Sequence, residues 1–185
     1  MNMKTFPDTA FGFENISEEV ETVVSSGRNV VLMCGISGSG KTVFSKALES
    51  RGYSRIAADE ILWEKYGDEF PTLPADVQKQ AFMSMGSLLR EALIPHLEAK
   101  RKVVVDSTMC KHTKREEISR LCESFGISPL TVFLKASPEV LAKRLAGRKG
   151  IGPNDQIIPP EKLQMYCSGF ESPDGDADTL VFIQF

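Results

Sequence analysis

The sequence predicts an α/β fold, a three-layer sandwich in which a five-stranded parallel sheet lies between two layers of helices. Three observations carry that prediction. Short apolar runs of strand length recur at 30–33, 53–60, 103–106, 130–134 and 179–185, and stretches with helical spacing separate them, the alternation that builds parallel sheets. The first run passes directly into a glycine-rich turn and then into a striped helix. At 185 residues, 42% of them hydrophobic, the chain is long enough to bury a core and short enough to be one domain.

The turn at residues 35–42 reads GISGSGKT and matches the pattern G-x-x-x-x-G-K-[ST], from Gly35 through Ile36, Ser37, Gly38, Ser39 and Gly40 to Lys41 and Thr42. Glycines at 35, 38 and 40 free the backbone so that successive N–H groups can converge on phosphate oxygens, with a helix N-terminus behind them. Lys41 can set a point charge on the β/γ-phosphates, and the Thr42 hydroxyl can ligate Mg²⁺. Val30 to Met33 form the strand before this turn, and Val43, Phe44, Ala47 and Leu48 form the apolar stripe of the helix after it. A nucleotide's phosphates are the ligand expected here.

Residues 1–28 precede this unit as an N-terminal extension. Within it, Ser17 and the following EEVETVVSS predict a short capped helix ending at Gly27, and Phe11 and Phe13 are read as packing residues. Residues 29–185 are expected to form the phosphate-binding domain. The second strand, 53–60, ends in Asp59 and Glu60, on the sheet edge where a parallel fold gathers its ligands. Asp59 is read as a group that accepts a proton from a substrate hydroxyl, although it also suits the N-cap of a helix beginning near Ile61. Val77, Ala81, Met85, Leu88, Leu89, Ala92 and Leu97 define a long amphipathic helix with a kink expected at Pro95, and Lys100, Arg101 and Lys102 form a solvated run beyond it.

The third strand ends in Asp106, the apolar-strand-plus-acid arrangement that can hold a metal or its water shell, or contact substrate. Thr113 to Glu116 reads as a capping box for a helix burying Ile118, Leu121, Cys122 and Phe125. Arg115 in its first turn opposes the helix dipole, so it is either held for an anion or exposed. Ser137 and Pro138 open a further helix through Arg144, and the basic loop that follows, about 147–158, suits a lid closing on phosphates. Pro159 and Pro160 start another helix, an acidic turn spans 174–178, and 179–185 is the last strand.

Composition sets limits on partners. A net charge of −3 and a pI near 5.5 do not advertise a surface for extended nucleic acid. Cysteines at 34, 110, 122 and 167 show no metal-binding spacing with His96 or His112 and are expected to be buried free thiols. The start of the sequence has no apolar core of signal length, and no apolar run approaches the roughly 18 residues of a membrane span, so a cytoplasmic protein is expected. A monomer or weak dimer is the expected assembly.

With these pieces assembled, the sequence resembles the small P-loop kinases of the AAA_33 and polynucleotide 5′-hydroxyl kinase group, which includes zeta-toxin-like and chloramphenicol-phosphotransferase-like kinases. The resemblance rests on GISGSGKT at 35–42, RIAADE at 55–60, VVVDST at 103–108, VFLKASPEVLAKRLAGRKG at 132–150 and IPPEKLQMYCSGFE at 158–171. It implies a nucleoside-monophosphate-kinase-like sheet of strand order 2-3-1-4-5. It also implies ATP and Mg²⁺ as cofactors, with Asp59 as general base, Arg144 and Arg148 as lid arginines beside Lys41, and Thr42 and Asp106 at the metal. The expected activity is transfer of the γ-phosphoryl group to a hydroxyl of a small molecule or a nucleic-acid 5′ end. Polynucleotide kinases of this group carry an Arg three residues after the base; Leu62 stands there in this chain, which points away from nucleic acid. The alternatives are a nucleotide hydrolase or a nucleotide-dependent binding module. Leu134 to Ser137 replaces the N-K-x-D run that a guanine-specific protein would want.

Overall fold

The computed structural model describes residues 9–11, 16–176 and 178–184. In chain order the elements are β1 (Thr9–Phe11), α1 (Ser17–Ser25), β2 (Val30–Cys34), α2 (Lys41–Glu49), β3 (Ser54–Ala57), α3 (Ala58–Tyr66), a 3-10 segment at Gly67–Thr72, α4 (Ala75–Glu98), β4 (Val103–Asp106), α5 (His112–Ser124), β5 (Leu130–Ala136), α6 (Pro138–Leu145), α7 (Pro160–Gly169) and β6 (Thr179–Gln184). Their order in the sheet is β1-β6-β5-β2-β4-β3, and every pairing is parallel. The five expected strands keep the order implied by the resemblance, with β2 central. β1 adds itself beyond β6, and a three-residue strand carries too little pattern to be read from sequence.

β2 shows why the architecture has three layers. All five of its residues are buried, and they alternate between two cores. Val30, Leu32 and Cys34 join Val103, Val105 and Phe133 under α3, α4 and α5, where Leu62, Ala81, Met85, Leu89, Leu93, Leu97, Ile118 and Cys122 meet them. Val31 and Met33 join Val104, Val132, Leu134, Leu180 and Phe182 under α1 and α2, contacted by Val20, Val23, Phe44 and Leu48. Burying both faces of the strands requires the near-continuous apolar runs seen in the sequence.

Several local expectations hold and several do not. Ser137 caps α6 by accepting from the Val140 N–H at 3.4 Å, with Pro138 in the first turn. α4 runs through Pro95 to Glu98, and Lys100, Arg101 and Lys102 are exposed. Ser17 begins α1 without capping it, because Ile16 takes that position. Phe13 lies outside the described residues. Val43 is exposed rather than part of the packed stripe. Cys34 and Cys122 are buried, and burial pushes both thiols up to about 12; Cys110 and Cys167 are half-exposed. Among the described residues no helix is long and apolar enough to cross a membrane.

The Thr113–Glu116 capping box does not form. α5 starts earlier, at His112, and the Glu171 carboxylate accepts from the His112 N–H at 2.8 Å, an acid from a distant loop doing what a local cap would. Arg115 is neither exposed nor held ready for a ligand. It is buried, donates to Asp176 Oδ2 at 2.6 Å and to the Met109 and Glu171 carbonyls at 2.8 and 2.9 Å, and so fastens the 171–176 loop to the sheet edge. Arg115→Met is expected to cost about 3 kcal/mol of stability, because it strands buried acceptors. Arg115→Lys should restore little of this, lacking the guanidinium fork. Urea unfolding of both variants measures the effect, and a loss below about 1 kcal/mol would refute the clamp.

Candidate phosphate-binding cleft

The chain leaves β2 at Cys34 and turns sharply. A Cβ on Gly35 would stand 2.9 Å from the Leu134 carbonyl oxygen, so a side chain there would collide with β5. Gly38 has φ +89° and packs so closely on α6 that a Cβ would meet Leu145 Cγ at 3.2 Å. Gly40, with φ 94°, occupies the N-cap of α2, and no side chain accepts the first N–H groups of that helix. A nine-residue helix thus presents its donors and its positive end to the turn. The turn holds its shape through Ser39 N–H donating to Ile36 O at 3.0 Å and Gly35 N–H donating to Thr108 O at 3.1 Å. Lys41 is buried and donates to Ile36 O at 3.2 Å, and burial lowers its pKa against the opposing pull of Asp106 and Asp59.

α3 follows β3 without a loop, which sets Asp59 and Glu60 in its first turn. Ala57 is the N-cap, so Asp59 is not a capping residue. Its carboxylate lines the cleft, reached by water but walled by protein. Desolvation raises its pKa; Asp106 and Glu60 add to the rise, while Lys41 and Arg148 pull it back. Asp106, at the end of β4, is buried and bound. Arg55 donates to its Oδ2 from Nη2 at 2.7 Å and from Nε at 3.1 Å, and the Ser45 hydroxyl donates to the same oxygen at 2.9 Å. Arg55 Nη1 also donates to Glu60 at 2.7 Å. Burial alone would raise the Glu60 pKa, but the hydrogen bonds from Arg55 and Asn154 bring it below the ordinary carboxylate value.

The opposite side comes from α6 and the loop after it. Arg144 Nη1 donates to the Gly38 carbonyl at 3.3 Å and to Gln184 Oε1 at 2.5 Å, while Gln184 Nε2 donates to the Ser39 carbonyl at 2.6 Å. The buried end of β6 therefore ties the phosphate turn to an arginine. Arg148 donates to the Gln156 carbonyl at 3.2 Å. The Asp155 carboxylate gathers the Lys149 and Ile151 N–H groups at 3.0 and 3.2 Å, which shapes the loop, and Asn154 reaches from it to both Thr42 and Glu60.

Together these parts line one cleft of about 860 Å³, which receives Ile36, Ser37, Gly38, Gly40, Lys41, Thr42, Asp59, Asp106, Arg144 and Arg148. Gly35 and Ser39 sit beneath it as buried support. Sequence reasoning missed Arg55, Asn154 and Gln184. Arg55 carried a signal, a charge inside an apolar strand two residues before its end. The other two act through contacts 40 to 145 residues distant, which no local pattern records.

The chain is 26% identical over 145 residues to the L-seryl-tRNA(Sec) kinase of Methanococcus maripaludis, covering 78% of this chain and 53% of that protein, so it spans about half of that relative's length. It is 25% identical over 169 residues to a probable gluconokinase of Dictyostelium discoideum, covering 86% and 81% of the two chains. Among solved structures, the fold is similar to a gluconokinase from Sinorhizobium meliloti 1021, with TM-score 0.60, 24% identity and 84% and 83% of the chains covered. It is also similar to a chain of the Pnkp1/Rnl/Hen1 RNA repair complex, with TM-score 0.62, 16% identity and 77% and 43% covered. The AAA_33 model, described as an AAA domain, matches residues 30–173, which carry the phosphate turn, both acids and the two arginines, and by that match the chain belongs to the AAA_33 family.

Proposed function

We propose that this protein is an ATP-dependent kinase that transfers the γ-phosphoryl group to a hydroxyl of a small molecule. The observation that carries the reading is the shared cleft: Asp59 faces the phosphate turn closely enough for Lys41 and Arg148 to act on its titration. The kinase relatives support the reaction class. In this reading the free donors of α2 and the turn hold the phosphates, Asp59 takes the proton of the acceptor hydroxyl, and Lys41, Arg144 and Arg148 stabilise charge on the transferring oxygens. The guanine-reading run is absent between β5 and α6, consistent with an adenine nucleotide.

The residues fit Mg²⁺ of the kind held mainly by phosphate oxygens and water. The Thr42 hydroxyl would be the direct protein ligand. Asp106 has one oxygen engaged by Arg55 and Ser45, which leaves the other for the metal's water shell. When bound, the metal supplies charge neutralisation on the β- and γ-phosphates.

Two outcomes test the assignment. Lys41→Ala and Asp59→Asn should each lower phosphoryl transfer from γ-³²P-ATP at least 10²-fold, while Lys41→Ala alone strongly weakens ATP binding. Full activity in Asp59→Asn would remove it as base. Phosphate release that ignores every acceptor would favour a hydrolase.

The second concerns pH. A base must be deprotonated to accept a proton, so kcat/KM should rise with pH through the raised Asp59 pKa, giving an acid limb above the roughly 4 of an ordinary aspartate. An acid limb at or below pH 4 would count against Asp59.

A further inference from the structure

The cleft is larger and more apolar than a phosphate site requires. Beyond the donor end its walls are Leu62 from α3, Phe82 and Met85 from α4, Met165 and Tyr166 from α7, and Phe170 just after that helix. Phe82 and Met165 are 51% and 61% exposed, large apolar side chains left facing a concavity. Such surface in a concave wall signals a ligand that covers it. Most of the charge lies elsewhere: Lys41, Asp59, Asp106, Arg144 and Arg148 belong to the donor end, while one lysine, Lys162, stands over the Tyr166 ring at 5.9 Å within the apolar part.

The apolar region belongs to the acceptor side. Asp59 and Leu62 are three residues apart on α3 and therefore share a helix face, so the wall begins one turn from the carboxylate. Small polar groups gather beside the same acid end, with Ser107 and Thr108 directly following Asp106. A sugar acid or polyol would find partners in Ser107 and Thr108 at the acid end but would press its further hydroxyls against Leu62, Phe82, Met85 and Met165, which offer none, and this disfavours it. A single hydroxyl at the Asp59 end, beside Ser107 and Thr108, with a hydrocarbon or aromatic body against Leu62, Phe82, Met85 and Met165, matches polar group to polar wall and apolar surface to apolar wall.

From this geometry, and resting on the kinase reading above, we infer that the acceptor is a hydrophobic alcohol, one hydroxyl carried on an apolar or aromatic body. The acceptor O–H bond breaks, its proton passes to Asp59, the oxygen bonds to the γ-phosphorus, and the bond to the β-bridging oxygen breaks to release ADP.

The test uses 3-phenylpropan-1-ol as the probe, in the full chain saturated with a non-hydrolysable ATP analogue so that the base cannot account for the result. Binding is followed by calorimetry, and transfer from γ-³²P-ATP is measured in parallel against gluconate and a 5′-hydroxyl oligonucleotide. The expected result is saturable probe binding, transfer to the probe at least tenfold more efficient than to either polar acceptor, and about tenfold weaker probe binding in Phe82→Gln. Phe82→Leu, which keeps an apolar surface, should lose far less. Probe binding without transfer would uphold the site and refute the kinase reading. Transfer to gluconate or the oligonucleotide without probe binding would overturn the inference and leave the kinase reading intact. Binding to neither, or probe binding only when the nucleotide is absent, also overturns it.

Discussion

Every strand of this sheet runs in the same direction, and the rest of the molecule follows from that constraint. Parallel strands need crossovers, the crossovers here are helices, and each strand delivers its last residue to one edge. Cys34, Ala57, Asp106, Ala136 and Gln184 all end there. β2 has β4 on one side and β5 on the other, so the chain fans away from the phosphate turn in both directions and opens a crevice above it. Side chains from the strand ends, from the helices that follow them and from the loop between α6 and α7 thereby converge on one crevice.

Convergence brings charges together, and they must be balanced at low dielectric. Lys41 and Asp59 each feel the other, Asp106 and Arg148 within a single cleft, and Arg55 holds Asp106 and Glu60 from outside its lining. The Arg55–Asp106 pair has both side chains only 5% exposed, a placement whose desolvation cost absorbs much of its Coulombic gain. Its value is positional. With Ser45 as a third member it fixes one oxygen of Asp106 and links β3, β4 and α2 below the phosphate turn.

The sequence made legible whatever is encoded locally. The turn from Gly35 to Thr42 combines backbone freedom, a lysine and a hydroxyl at fixed spacing, so the turn and the strand and helix around it were readable before any fold was known. Asp106 was readable because the apolar run of β4 ends on it, whereas the strand expected over 53–60 stops at Ala57 and Asp59 falls instead in the first turn of α3. Arg115 misled for the same reason that Gln184 was invisible: each is defined by partners from distant segments, Asp176 for the one and Ser39 and Arg144 for the other. The cap of α5 shows the limit most clearly. Thr113 and Glu116 satisfy the local rule, yet Glu171, 59 residues beyond His112, takes the position.

The contact between the basic loop and the phosphate turn has a direction. Arg55 can only donate, so it leaves Glu60 an ionised acceptor, and an acceptor beside Asn154 turns the NH₂ end of that amide toward itself. The amide oxygen must then face Thr42, whose hydroxyl donates to it at 3.3 Å. Once its proton is committed, the Thr42 oxygen has its lone pairs left to offer. A guanidinium two strands from the phosphate turn thus sets, through three successive hydrogen bonds of fixed polarity, the orientation of a single hydroxyl at its far side.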